Sequence, residues 1–212
     1  YIIEQIYPLN ISSINSLSRK ITNIKNVYLD STNNIYLSII PDKNYFINEN
    51  NLKLDYNKLK DTFINNLNYA TYIDIFPELS LDNYYKTDQH WREETLINVA
   101  NKITNTMNGT VYNDYKTKTL TTFLGTYAGR IPRKNNTIDD LTILTNNIID
   151  NAIVYNYQTK TYTNIYDLSK LSTSNDKYDV YLSGSVPLIT ITNNKSTSTK
   201  ELIIFRDSYT SS

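Results

Sequence analysis

The chain has 212 residues, with 21 Lys and Arg balanced by 21 Asp and Glu, one histidine and no cysteine. Forty percent of it is hydrophobic and 20% charged, which excludes a fully disordered chain, and a zero net charge without a basic run argues against a nucleic-acid binder. The missing thiols and the single imidazole exclude disulfides, thiolate metal sites, cysteine nucleophiles and multi-histidine metal centres.

Ile11, Ile14, Leu17, Ile21 and Ile24 recur at helical spacing and predict an amphipathic helix over 11–25. Asn34 to Ile40, stopped by Pro41, predicts a buried strand. Leu54, Leu59, Phe63 and Leu67 predict a second helix over 55–68. Tyr72 to Phe76, stopped by Pro77, predicts a second strand. Leu96, Val99, Ala100, Ile103 and Met107 predict a third helix over 92–107, closed by Asn108-Gly109. After residue 110 the pattern turns to short β-like runs: 141–144, 152–157, 161–166, 178–182 and 188–192. Gln158-Thr-Lys between two of them predicts a hairpin turn. The last run, Leu202 to Phe205 (LIIF), is continuously apolar and predicts a central strand buried on both faces. The expected fold is one α/β domain over 1–212, with a mostly parallel sheet and a β-rich insertion.

Asn, Ile, Lys and Tyr share AT-rich codons, so a low-GC genome accounts for much of the tyrosine content; a sugar-binding surface is the other reading. Four matches to the glycosylation pattern, at Asn10, Asn108, Asn135 and Asn194, are what a chain rich in Asn, Ser and Thr produces by chance. No apolar run approaches the roughly 20 residues that span a bilayer.

Two segments carry groups suited to chemistry. Thr87-Asp88-Gln89-His90-Trp91 holds the only histidine and the only tryptophan, just before the third helix. In extended backbone, residues two apart face one side, so Asp88 comes within reach of one imidazole nitrogen and leaves the other free as a base. A helix-capping histidine with a chance neighbour is the plainer reading. Phe205-Arg206-Asp207-Ser208-Tyr209 follows the last apolar run, and functional groups gather at the carboxyl ends of strands in open α/β sheets. An ordinary turn serine is the plainer reading there. Together the two segments supply Ser, His and Asp, the parts of an acyl-transfer triad.

YYKTDQHW ahead of a helix, and IIFRDSY near the end, resemble the DHHW family of Gram-positive bacteria, related to the alginate O-acetyltransferase-like SGNH hydrolases. Ile39-Ile-Pro-Asp-Lys43, Phe123-Leu-Gly-Thr-Tyr127 and Tyr178-Asp-Val-Tyr-Leu-Ser-Gly-Ser-Val-Pro-Leu188 resemble further family segments in the same order. The resemblance implies a flavodoxin-like SGNH sheet with altered strand order, in which the nucleophile comes last. It assigns Ser208 as nucleophile, His90 as base and Asp88 as its partner, with Gly184 and Ser185 in the oxyanion region. Two positions depart from the pattern: Gln89 stands where a second histidine is common, and Ser185 stands where asparagine is usual. An asparagine amide is a good oxyanion donor, and a serine hydroxyl is shorter. The chain begins at Tyr1 and stops four residues past Ser208, so a processed or truncated chain is expected.

The implied function is an extracytoplasmic O-acetyltransferase or acetylesterase acting on cell-surface polysaccharide. The alternative is an inactive glycan- or partner-binding module of the envelope. The expected partners are the polysaccharide, an acetyl donor and a membrane-bound acyltransferase; no cofactor, metal or nucleic acid is expected.

Overall fold

A computed structural model describes residues 1–4, 6–47, 51–131 and 137–212; Asn135 lies outside them. The chain divides into two compact units. One comprises Ile3–Leu81 and Asn98–Val111, the other Tyr1–Ile2, Asp82–Ile97 and Tyr112–Ser212.

The first unit is helical around a small parallel pairing. Helix α1 (Ile11–Tyr28) starts where the Asn10 side chain accepts the Ser13 N–H, and α2 (Tyr56–Asn66) where Asp55 accepts that of Lys58. The two helices pack together, and the Asn66 amide donates to Asn15 at 2.9 Å. Helix α3 (Ile97–Thr106) begins later than predicted, because Glu93–Thr95 form a 3-10 turn. Its end is closed by Asn108 in the left-handed region (φ 53°) and a Gly109 N–H bond to the Thr104 carbonyl. Strands β1 (Tyr36–Leu37) and β2 (Thr71–Tyr72) pair in parallel. Ile14, Leu67, Ile73, Ile75 and Phe76 are buried in this unit, and Tyr45 meets Phe46, Tyr56 and Phe76 edge to face.

The second unit is antiparallel. Strands β3 (Lys116–Phe123) and β4 (Asp139–Thr145) form one hairpin. Strands β5 (Ala152–Asn156), β6 (Thr161–Asn164) and β7 (Ile189–Asn193) form a sheet in the order β6-β5-β7. The turn between β5 and β6 is where Gln158-Thr-Lys predicts it: Asn156 accepts the Gln158 N–H, and Lys160 takes a φ of 58°. Strand β3 escapes prediction because its sequence, KTKTLTTF, is polar, and Phe123 alone in it is fully buried. The run 178–182 is no strand; Lys177–Val180 is a 3-10 turn, and Tyr181 makes an isolated bridge to Tyr166.

The core of this unit is Tyr85, Phe123, Leu141, Ile143, Tyr166, Tyr178, Val180 and Tyr181. Its phenols are satisfied as they are buried. Tyr181 donates to the Thr142 carbonyl at 2.9 Å, so Tyr85, 3.2 Å away, donates to Tyr181. These tyrosines serve as packing residues with a polar tip rather than as an exposed sugar-binding face.

The largest departure from expectation is Leu202–Phe205. These residues lie outside every strand, and Ile203 and Phe205 are 76% and 77% exposed. A run of apolar residues is necessary for a doubly buried strand but not sufficient: a neighbouring edge must receive it, and 202–205 pair with none of the strands described. The mostly parallel sheet expected from 34–40, 72–76 and 202–205 therefore reduces to the β1–β2 pair. What holds is a mixed helix and strand fold with small sheets.

A half-buried acid, Glu93, joins the 3-10 turn to β4. Glu93 Oε2 accepts the Leu144 N–H at 3.0 Å, and its Oε1 lies 2.8 Å from the Tyr166 hydroxyl, itself 2.6 Å from the Leu144 carbonyl. A phenol has one hydrogen for these two oxygens. Donation to Leu144 leaves the other contact to a proton on Glu93, whose pKa burial pushes up to about 7. The hydrogen bond from the Leu144 amide opposes that shift, and the neighbouring Glu94 charge adds to it. With the folded pKa above the ordinary 4.5, the native state holds a proton that the unfolded chain releases, so stability falls as pH rises from about 4.5 to about 7. Glu93→Gln keeps an acceptor for Leu144 and a donor for Tyr166. The variant is expected to gain on the native protein in melting temperature across that window, with the difference level above about pH 7; thermal melts at stepped pH check it.

Candidate active site

Residues 84–91 form a loop pinned at its base. Tyr84 and Trp91 make an antiparallel bridge, and the Tyr85 N–H donates to the His90 carbonyl at 3.1 Å. Buried Asp139, the first residue of β4, accepts from the Lys86 N–H (2.8 Å), the Thr87 N–H (2.7 Å) and the Thr87 hydroxyl (2.5 Å). Thr87 carries the restraint onward. Its hydroxyl oxygen accepts the Gly125 N–H at 2.9 Å, and its carbonyl accepts that of Tyr127 at 3.0 Å. The segment following β3 is thereby laid against the loop. Only glycine fits at 125, because a Cβ there would lie 2.3 Å from the Asp88 Cβ and 2.6 Å from its Cα.

That close approach brings Thr126 onto Asp88. The Thr126 N–H and hydroxyl donate to Asp88 Oδ2 at 2.8 and 3.0 Å. Asp88 Oδ1 receives the His90 N–H at 3.0 Å and faces His90 Nδ1 at 2.6 Å. Burial pulls the Asp88 pKa upward, but the His90 hydrogen bond and charge, with the His90 and Thr126 amides, hold it down at about 2. An ionised carboxylate only accepts, so Nδ1 carries a proton, and in the neutral ring Nε2 is the acceptor. The Ser208 Oγ lies 2.9 Å from that Nε2. The Gln89 amide nitrogen lies further off, at 3.4 Å. Asp88 and His90 are buried, while Ser208 is exposed.

Asp88, His90 and Ser208 thus form one hydrogen-bonded chain, although His90 and Ser208 are 118 residues apart in sequence. The i, i+2 argument assumes extended backbone; the loop is bent instead, and one Asp88 oxygen takes both the backbone and the ring of His90.

An aromatic clamp holds the serine turn to this loop. The Trp91 indole N–H donates to the Tyr209 carbonyl at 2.8 Å, and the Tyr209 hydroxyl to the Gln89 carbonyl at 2.9 Å. Tyr178 stacks on the His90 ring, and its hydroxyl lies 2.8 Å from Ser212 Oγ. Thr126, Tyr178 and Tyr209 are the residues sequence reasoning missed as contributors. The segments resembling the family, 123–127 and 178–188, are where a signal for Thr126 and Tyr178 lay.

Gly184 and Ser185 make no hydrogen bond to these residues. The Gly184 N–H donates to the Tyr181 carbonyl at 2.9 Å, so that amide is already engaged. Leu182, Ser183 and Gly184 are all left-handed, with φ of 51°, 62° and 82°. Ser185 lines a polar cavity of about 400 Å³ with Asn156, Thr163, Asp167, Lys170 and Asp179; Asp88, His90 and Ser208 are not in its wall. Among the described residues no cluster of three metal-ligating side chains occurs, and no helix is long and apolar enough to cross a membrane.

No protein-family model and no curated protein sequence matches the chain. Solved structures do. A DHHW family protein from Eubacterium siraeum superposes with a TM-score of 0.77 at 19% identity, covering 98% of this chain and 72% of its own. Bacillus cereus PatB1 superposes with a TM-score of 0.61 at 15% identity, over 92% of this chain and 73% of its own. PatB1 with a sulfonyl adduct gives 0.67, also at 15% identity, over 92% and 70%. The chain shares the fold of these proteins.

The close approach at residue 125 gives a direct test. Gly125→Ala is expected to lower stability by about 1–3 kcal/mol, the ordinary cost of overpacking, because both Asp88 and the Thr126 donors must move. A urea melt reads the loss; an unchanged midpoint would show that the contact is not tight.

Proposed function

We propose that Ser208, His90 and Asp88 act as a Ser-His-Asp triad in an SGNH-type O-acetyltransferase or acetylesterase, working outside the cytoplasm on cell-surface glycan. The observation that carries this reading is the continuous path from the Asp88 carboxylate through both ring nitrogens of His90 to an exposed serine hydroxyl. His90 Nε2 takes the Ser208 proton as Oγ bonds to an acetyl carbonyl carbon. Asp88 stabilises the resulting imidazolium and fixes the tautomer. The imidazolium returns the proton to the leaving oxygen, leaving an acetyl-serine. A sugar hydroxyl or water then attacks that ester as His90 takes its proton; the Oγ–acetyl bond breaks and the imidazolium returns the proton to Ser208 Oγ, releasing the acetylated sugar or acetate.

The Ser208 N–H makes no hydrogen bond among the described residues and is the first candidate oxyanion donor. The fold shared with a DHHW family protein and PatB1 supports the reading, as does the sulfonyl adduct of one PatB1 structure, since nucleophilic hydroxyls form such adducts. The glycan, the acetyl donor and a membrane-bound acyltransferase as partner follow from the family resemblance.

One observation favours the second reading, an inactive glycan- or partner-binding module: the Gly184 amide, which the resemblance puts in the oxyanion region, is engaged by the Tyr181 carbonyl. Losing one oxyanion donor costs about 100- to 1000-fold in rate. The enzyme is therefore expected to be slow on simple esters. Hydrolysis of an aryl acetate should fall by roughly a thousandfold or more in Ser208→Ala and in His90→Ala. Equal rates in native protein and Ser208→Ala would leave the binding reading.

A further inference from the structure

A second aromatic ring lies flat on His90. The Tyr178 ring lies 3.9 Å from the His90 ring, centroid to centroid, and within 6° of parallel. Tyr178 is itself buried and fixed from two sides: its N–H bonds to Asp176 Oδ1 at 2.9 Å, and its carbonyl accepts the Tyr181 N–H. Its hydroxyl lies 2.8 Å from Ser212 Oγ and 3.3 Å from the Tyr209 carbonyl, in the turn that begins at Ser208. One side chain thus touches both the base and the turn bearing the hydroxyl that the base faces.

We propose that Tyr178 is a positioning residue for His90. Its ring keeps the imidazole in the plane that joins Asp88 to Ser208, and its π face stabilises the imidazolium formed when Ser208 loses its proton. This rests on the triad reading above. The geometry supports both roles. A ring lying flat at 3.9 Å blocks the imidazole from tipping toward Tyr178, and Tyr209, 5.2 Å away at 61°, approaches it edge-on. Tipping would break the bonds at Nδ1 and Nε2 together. A cation over an aromatic face is attracted by the ring quadrupole, most strongly where water is excluded, and both rings are buried here. The hydroxyl of Tyr178 has a separate job, joining the ring to the serine turn.

The roles divide between variants. Tyr178→Phe keeps the face and loses the hydroxyl. Tyr178→Leu removes the face. Pentafluorophenylalanine at position 178 keeps the shape and reverses the quadrupole, so it remains informative if the leucine variant does not fold. With an aryl acetate as substrate, Tyr178→Phe, which has lost the link to the serine turn, is the reference for the ring face alone. The fluorinated variant should lose roughly three- to thirtyfold relative to Tyr178→Phe, with KM little changed. Positioning is read without turnover. The protein has one histidine, so its ring protons are assigned without ambiguity. In the native protein and Tyr178→Phe they should be shifted upfield by the facing ring, and the Nδ1 proton should appear as a slowly exchanging downfield signal. Tyr178→Leu should lose both. Equal kcat in the phenylalanine and fluorinated variants overturns the electrostatic role, and retained Nδ1–H protection in Tyr178→Leu overturns the positioning role. A native protein without Ser208-dependent turnover would sink the triad reading instead, while the NMR comparison still decides whether Tyr178 orders the ring.

Discussion

A carboxylate taken out of water must be compensated by hydrogen bonds, and Asp88 is fully buried. Its two oxygens divide the task. Oδ2 takes the backbone and hydroxyl of Thr126, and Oδ1 takes the backbone and ring of His90. Much of the surrounding structure follows from meeting that demand. Asp139 holds Thr87 so that the loop reaches the right depth, Thr87 holds the Gly125 amide, and glycine at 125 lets the chain pass close enough for Thr126 to donate. A second acid, the half-buried Glu93, meets a similar constraint differently, by keeping its proton and closing a ring of hydrogen bonds with Tyr166 and Leu144. One acid is held low and charged beside the histidine; the other is raised by burial and by the neighbouring Glu94 charge.

The meeting of Asp88, His90 and Ser208 was legible because the inventory is so small. One histidine, an aspartate two residues before it and a serine after a long apolar run left few combinations. The helices were legible for the usual reason: α1 and α2 carry apolar residues at the right spacing and side-chain caps at their starts. Strand β3 was hidden because its threonines and lysines are largely exposed and do not alternate in hydrophobicity. The environment of 202–205 was misjudged because its apolar sequence says nothing about which strand receives it. Gly184 was placed near the oxyanion by resemblance, yet three left-handed residues turn the chain so that its amide meets Tyr181.

Tyrosine content admitted two explanations, codon usage and a sugar-binding surface, and the structure shows a third use. Tyr85, Tyr166, Tyr178 and Tyr181 build the core beside the site, each with its hydroxyl on a partner. A core of phenols is stiffer than one of aliphatic chains, since each ring is fixed by packing and by a directional bond. The proposed proton transfer would need the imidazole held to within a few tenths of an ångström, and Tyr178 brings that rigidity into contact with the ring itself.

The central claim is that Ser208 is a nucleophile activated by His90. Treatment with an aryl sulfonyl fluoride followed by peptide mass spectrometry tests it most directly, since it needs neither the natural acetyl donor nor the acceptor. The account predicts one sulfonyl group per chain on the peptide containing Ser208 in the native protein, with labelling much slower in His90→Ala and absent in Ser208→Ala. Labelling spread over other hydroxyls, or at equal rates in native protein and His90→Ala, would contradict it.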